Sequence, residues 1–286
     1  MIRLAQAGDE PAIEAFLARH AETSMFLRSN LLNLGLGQGA SPRSTDFWLV
    51  EGAGLEGVVG YSKAGFVMCQ MPNATFEAWQ AIAQVLNGRD VGGIMGTSEQ
   101  VALGKRGLGI DAGLYSTDRE EPLYRLSLDQ LIFPEITGKL RAADDVDLDL
   151  LINWIIDYDK TAFGLELTED VRNRAVETAK VHIGSDIHRI LETDGTPVAK
   201  TAFNASLPDM VQIGGVYTPP ELRSKGYARQ AVALHLLEAK TNGVETAILF
   251  ASGPPACRAY EAIGFTKIGS YQLSLLTEPQ TIGGSL

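Results

Sequence analysis

Residues 211–229, reading VQIGGVYTPPELRSKGYAR, hold the pattern that most limits what this chain can become. Val211, Ile213 and Val216 begin as a strand, two prolines break it within Thr218 to Glu221, and a helical pattern opens after Gly226. A strand therefore feeds a loop, and the loop feeds a helix. The loop keeps small residues where a ligand would approach the backbone, and backbone N–H groups at a helix start have no intrahelical acceptor. With the helix dipole added, such a turn is expected to cradle an anion such as a pyrophosphate.

The segments that follow extend the pattern. A helix over Ala228 to Lys240 leads through Gly243 into an apolar strand over Ala247 to Ala251, and a proline-started helix then carries Ala259, Tyr260, Glu261, Gly264 and Phe265. Arg-x-x-Gly-x-Ala after a kinked strand, with Tyr-x-x-x-Gly-Phe at this separation, resembles the GCN5-related N-acetyltransferase family. The resemblance covers Lys139 to Leu276. It implies a mixed α/β fold, a twisted and mostly antiparallel sheet flanked by helices, with acetyl-CoA as cosubstrate and no metal.

By the same resemblance, the pyrophosphate would sit on the amides of Arg223, Ser224, Lys225, Gly226, Tyr227, Ala228 and Arg229, and the pantetheine along Val216, Tyr217 and Thr218. A backbone N–H near Val216 or Tyr217 would stabilise the oxyanion, and Tyr260 would protonate the leaving thiolate. The base that deprotonates the amine has no motif behind it. Glu221 is the first candidate; Glu166, Glu169, Asp170, His188 and a water relay remain alternatives. Gly253 departs from the family, where Asn often starts the last helix, and Pro254 and Pro255 have no N–H to donate.

A chain of 286 residues favours two domains, although length alone leaves one large α/β domain open. Hydrophobic residues at 45% and charged residues at 21% describe a globular protein able to bury cores. The formal net charge of −11 argues against nucleic acid or an anionic membrane as partner. Cys69 and Cys257 stand far apart, with neither metal-ligand spacing nor a disulfide framework. Arg3 and Asp9 interrupt any apolar start, and no apolar run reaches membrane-spanning length. A cytoplasmic protein is expected.

Along the chain, Ile2 and Leu4 read as a strand and Pro11 to His20 as a helix, followed by a helix over Met25 to Leu34. Gly35-Leu36-Gly37-Gln38-Gly39-Ala40 satisfies a dinucleotide fingerprint in letters only, because a helical pattern precedes it and Ser41-Pro42 follows. Phe47 to Val50 and Val58 to Phe66 read as a hairpin about the turn Glu51 to Gly57, and Val67 to Met71 extends the sheet. A helix over Phe76 to Leu86, a strand over Val91 to Met95, a helix over Glu99 to Leu108 and a strand over Leu123 to Leu128 complete this half.

The order then restarts. Lys139 to Asp145 echoes Ile2 to Asp9, Leu148 to Ile156 echoes the first helix, and Ile187 to Glu192 with Pro197 to Phe203 repeats the hairpin. Lys105 to Ile110 parallels Tyr260 to Phe265. An internal duplication is expected, with a degenerate first copy over 1–134 and the acetyl-CoA-binding copy over 135–286; chance likeness of two common α/β patterns is the alternative. The first copy has no Arg-x-x-Gly-x-Ala between Met71 and Phe76, and Lys105 replaces the tyrosine. It is expected to pack on the second, shape the acceptor pocket or support a homodimer.

The expected activity is acetyl transfer to a small-molecule or peptide amine by direct attack in a ternary complex. The alternative is a non-catalytic acyl-CoA-binding regulatory or scaffolding protein. Asp157 and Asp159 join the acidic residues that would attract a cationic amine or simply face water.

Overall fold

The computed structural model describes residues 1–164 and 166–283, the side chains of residues 162 and 163 aside. Two compact units account for it, one made of Met1–Glu121 with 270–283, the other of Pro122–Gly269.

The first repeat runs β1 (Ile2–Leu4), α1 (Glu10–Ala18), α2 (Met25–Leu34), β2 (Thr45–Glu51), β3 (Leu55–Ser62), β4 (Phe66–Gln70), α3 (Phe76–Val85), β5 (Asp90–Gly96), α4 (Ser98–Leu108) and β6 (Tyr115–Ser127). The second runs β7 (Lys139–Ala142), α5 (Leu148–Phe163), α6 (Glu169–His182), β8 (His188–Thr193), β9 (Thr196–Ser206), β10 (Met210–Tyr217), α7 (Tyr227–Thr241), β11 (Thr246–Phe250), α8 (Pro254–Glu261) and β12 (Thr266–Thr281). The two orders are the same, strand for strand and helix for helix.

Side-chain chemistry repeats with them. Arg3 donates from both Nη atoms to Asp9 (2.6 and 2.9 Å) and from Nε to Glu51 (3.0 Å). Arg141 builds the same fork on Asp147 (2.6 and 2.9 Å) and Glu192 (2.8 Å). The counterpart of Asp9 is thus Asp147, two residues beyond the echo drawn from sequence. Each fork ties the first strand to the start of the first helix and to the hairpin, through bidentate charge-assisted bonds. At the far end of each repeat, Ile110 N–H donates to the Lys105 carbonyl (2.9 Å) and Phe265 N–H to the Tyr260 carbonyl (3.2 Å), each across a glycine with positive φ, Gly109 or Gly264.

Within the first unit the strands lie in the order β1, β2, β3, β4, β5, with the C-terminal part of β12 added beside β5 from Gln272 opposite Gly96 to Thr281 opposite Asp90. Within the second the order is β7, β8, β9, β10, β11, with the end of β6 beside β11 from Leu123 opposite Phe250 to Ser127 opposite Thr246. Each unit is therefore completed by the closing strand of the other repeat. All pairs named are antiparallel except β4 with β5 and β10 with β11, the parallel steps that a helix must cross over.

In the first unit α3 and α4 bury Trp79, Ile82 and Val101 on Val67, Val91 and Ile94. The opposite face takes Ile13, Phe16 and Leu27 of α1 and α2. In the second unit α7 and α8 cover one face through Val232, Leu236 and Tyr260, and α5 and α6 cover the other through Leu151, Ile155, Ala175 and Ala179 on Ile190.

Several boundaries differ from the expectation. The strand expected over Val58 to Phe66 is broken at Lys63 to Gly65, because Gly65 takes a positive φ and turns the chain back, making three strands of the hairpin. β6 begins at Tyr115 rather than Leu123, and β12 was not read from the sequence at all. Glu166 lies before the start of α6. The Gly35 to Ala40 segment follows α2 and leads by a loop to β2, so it lacks both the strand before it and the helix after it. No helix among the described residues is long and apolar enough to cross a membrane.

Candidate active site

The site grows from a break in sheet pairing. β10 pairs with β11 in parallel only from Met210 to Ile213, after which no further pairs form on that side. On the other side Gly214 faces Ala202 and Tyr217 faces Lys200, so β10 carries one residue more than β9 and bulges there. Gly215 sits in the bulge at φ 57. A Cβ on Gly214 would stand 2.0 Å from Asn204 Nδ2, so glycine is needed for the Asn204 amide to lie over this backbone. The splayed end of β10 thus presents main chain that β11 does not use.

The side chains of the splayed end divide between the two faces. Val216 packs against the cluster that holds Tyr260, Val232 and Leu236. Tyr217 is buried on the α5 face, where its hydroxyl donates to Asp157 Oδ2 (2.6 Å) and its ring meets Trp154 at 5.6 Å. Burial, first, and the Asp157 carboxylate, second, hold the Tyr217 hydroxyl far above the ordinary tyrosine range.

Beyond Thr218, Pro220–Leu222 forms a single 3₁₀ turn carrying the exposed Glu221. Arg223 Nε donates back to the Thr218 carbonyl (3.1 Å). Ser224 at φ 64 and Gly226 at φ 82 then turn the chain into α7, whose first helical bond runs from Gln230 N–H to the Gly226 carbonyl (3.1 Å). The amides of Tyr227, Ala228 and Arg229 are the first-turn groups that a helix leaves without intrahelical acceptors. Lys225 and Arg229 are exposed beside them, and the Arg229 guanidinium lies 3.1 Å from where a Cβ on Gly226 would be. Backbone donors, helix dipole and cations therefore meet at one turn, which fits an anion.

Tyr260 lies in α8 with 8% of its surface exposed, edge-on to Phe265 at 6.0 Å. Gly253, at φ 92, starts this helix and accepts from Cys257 N–H (3.1 Å); Tyr124 of β6 fastens it through a 2.6 Å bond from its hydroxyl to Glu261. Tyr260, Val216, Tyr217, Thr218 and the loop from Arg223 to Arg229 all belong to the second unit. His188 is stacked on His182 at 3.6 Å, and burial pushes their pKa values down to about 4 and about 3, so both are neutral imidazoles at neutral pH.

Sequence reasoning passed over Lys200. It faces Tyr217 across the sheet with 6% of its surface exposed, and burial lowers its pKa to about 8. The signal was present as a lone cation within the apolar strand run Val198-Ala199-Lys200-Thr201-Ala202-Phe203.

The first unit shows what a closed version looks like. There α3 begins soon after β4, and its first turn is capped by Thr75, whose Oγ1 accepts from Ala78 N–H (3.3 Å). The amide of Met71 is taken by Gln100 Oε1 (2.6 Å). Lys105, at the place of Tyr260, pairs with Asp118 (2.8 Å) and stands 4.0 Å over the Tyr115 ring. The Ala78 amide of the α3 first turn and the Met71 amide before it are thus both bonded within the first unit.

Residues 148–265 match the family model described as the acetyltransferase (GNAT) family, and this part of the chain is a GNAT domain. Among solved structures the chain is similar to a GNAT-family acetyltransferase from Colwellia psychrerythraea, at 13% identity and a TM-score of 0.51 over 96% of this chain and 99% of that one. It is similar to a GCN5-related N-acetyltransferase from Kribbella flavida, at 16% identity and a TM-score of 0.54 over 90% and 95%. A tandem GNAT protein from the clavulanic acid biosynthesis pathway aligns with 100% of this chain and 99% of its own, at 14% identity and a TM-score of 0.54. These likenesses are of fold, and with the repeated elements they make the chain a tandem pair of GNAT-like units. No curated protein sequence matches the chain.

Proposed function

We propose that the second unit binds acetyl-CoA and moves its acetyl group to a primary amine by direct attack in a ternary complex, in the cytoplasm. The observation that carries this reading is the parting of β10 from β11 after Ile213, with Gly226 turning the chain into α7 beyond it. The pyrophosphate is held by the amides of the Arg223 to Arg229 turn, with Arg223, Lys225 and Arg229 supplying charge. The pantetheine hydrogen-bonds to the unused edge of β10 from Val216 to Thr218.

The amine nitrogen forms a bond to the thioester carbonyl carbon while a base, Glu221 or a water it orients, takes one amine proton. A backbone N–H at Val216 or Tyr217 bears the oxyanion. The carbon–sulfur bond then breaks, and Tyr260 gives its proton to the thiolate. Holding the two reactants together supplies the larger share of the acceleration, and no covalent enzyme intermediate is needed.

Thiol release from acetyl-CoA with a panel of amines tests this. Tyr260→Phe is expected to lower kcat on the order of 10²-fold while leaving acetyl-CoA affinity unchanged. An unchanged kcat removes Tyr260 from the reaction. A chain that binds acetyl-CoA and acetylates no amine of the panel would instead be an acyl-CoA-binding regulator.

A further inference from the structure

Lys200 is a costly residue for a strand interior. It lies on β9 opposite Ile190 of β8 and Tyr217 of β10, so all three share the face covered by α5 and α6. Among the described residues its ammonium has neither a hydrogen-bond acceptor nor an ion-pair partner; the ring of Tyr158 stands 5.9 Å from it. His182, which feels its charge, has a buried Nδ1 without a hydrogen-bond partner among the described residues. Removing an ammonium from water without a counter-ion costs several kcal/mol in general, and a fold keeps such a group where a ligand completes it.

A second charge nearby is also unanswered. The carboxylate of Asp159, near the end of α5, has no hydrogen bond or ion pair among the described residues, and it feels Lys200 and Arg174 only at longer range. Asp157, two residues earlier, is already occupied by the Tyr217 hydroxyl. The rings near them are neutral: Tyr158, the Trp154 and Tyr217 ring pair, and the stacked His182 and His188. An unpaired cation on β9 and an unpaired carboxylate on α5 thus each lie in the field of the other without forming an ion pair.

We propose that Lys200 and Asp159 together bind a small zwitterionic acceptor, an amine with a carboxylate close to it as in a free amino acid, with the carboxylate on Lys200 and the amino group towards Asp159. The proposal rests on the acetyl-transfer reading for its reaction but not for its binding. It excludes polyamines, for which Lys200 is repulsive, and it makes Lys200 the residue that sets acceptor specificity.

Calorimetry of the full chain, without acetyl-CoA, against the L-amino acids, their carboxamides and spermidine tests this binding directly. At least one amino acid should bind about tenfold more tightly than its carboxamide. Lys200→Met should bring the two within about twofold while raising the thermal midpoint, since an unpaired buried charge is gone; Lys200→Arg should keep the preference. Equal binding of acids and carboxamides, preference for spermidine, or a preference that survives Lys200→Met overturns the proposal. If Lys200→Met stops turnover with every acceptor yet leaves the binding preference intact, Lys200 is a base and not an anchor. Failure of the chain to bind acetyl-CoA would remove the acetyl-transfer reading alone, because the amino acid titrations do not use it.

Discussion

Three histidines of the second unit are kept neutral by burial: His182 and His188 in their stack, and His235, which lies 3.7 Å from the Phe203 ring and is held at about pKa 3. Each has a folded pKa below its unfolded value near 6.5, so between those values the unfolded chain binds more protons. Their stabilising effect is complete above about pH 6.5 and is lost as the pH falls, at roughly 1.4 kcal/mol per pH unit for each histidine. Asp9, lowered to about 2 by its Arg3 bonds, and Asp147, lowered chiefly by Arg141, act the same way in a separate window below about pH 4. Thermal unfolding followed from pH 7 to 4.5 should show a falling midpoint, and His235→Phe, which preserves the ring stack, should flatten that fall. Identical slopes for both proteins would mean that His235 is not held neutral.

At the scale of elements, the two units end their last helices on matched glycines with unequal surroundings. Gly264, at φ 102, would place a Cβ 2.7 Å from the Gln130 carbonyl oxygen, whereas Gly109, at φ 72, has open space around it. Gly109→Ala meets only the backbone penalty, about 1 kcal/mol, while Gly264→Ala adds a clash with main chain and should cost roughly 3 kcal/mol. Urea unfolding of the two variants checks the difference, and equal losses would contradict the geometry. Both glycines were legible in the sequence because helix ends announce themselves locally. So was the kink of β10, where two prolines and Gly226 leave the backbone little choice. Lys200 was not legible as a site residue, because its meaning comes from what stands opposite and above it: Tyr217 on the next strand, Tyr158 and Asp159 on α5. The same holds for Asn204, which matters only because Gly214 lies beneath it.

Over the whole molecule, duplication explains most of what the chain does and does not carry. The matched element order and the matched helix ends were readable as an echo, whereas the Arg3 and Arg141 forks were not, because the echo set Asp145 rather than Asp147 against Asp9. The membership of 122–127 in the second unit and of 270–281 in the first was not, since strand partners are chosen by long-range pairing that local pattern does not record. Divergence concentrates at one place, the step from the fourth strand of each repeat to the helix that follows. In the second it is long and runs from Thr218 through the positive φ angles of Ser224 and Gly226; in the first it is short and closed by Thr75 and Gln100. A tandem chain with two GNAT-like folds should therefore have a single acetyl-CoA site.

Isothermal titration of the full chain with acetyl-CoA, beside Gly226→Glu, tests that most directly. The variant would put a carboxylate where the pyrophosphate is to sit and force a side chain onto a backbone at φ 82. About one acetyl-CoA per chain is expected for the wild type, with no measurable binding by the variant. Two sites per chain, no binding by the wild type, or undiminished binding by Gly226→Glu would each contradict it.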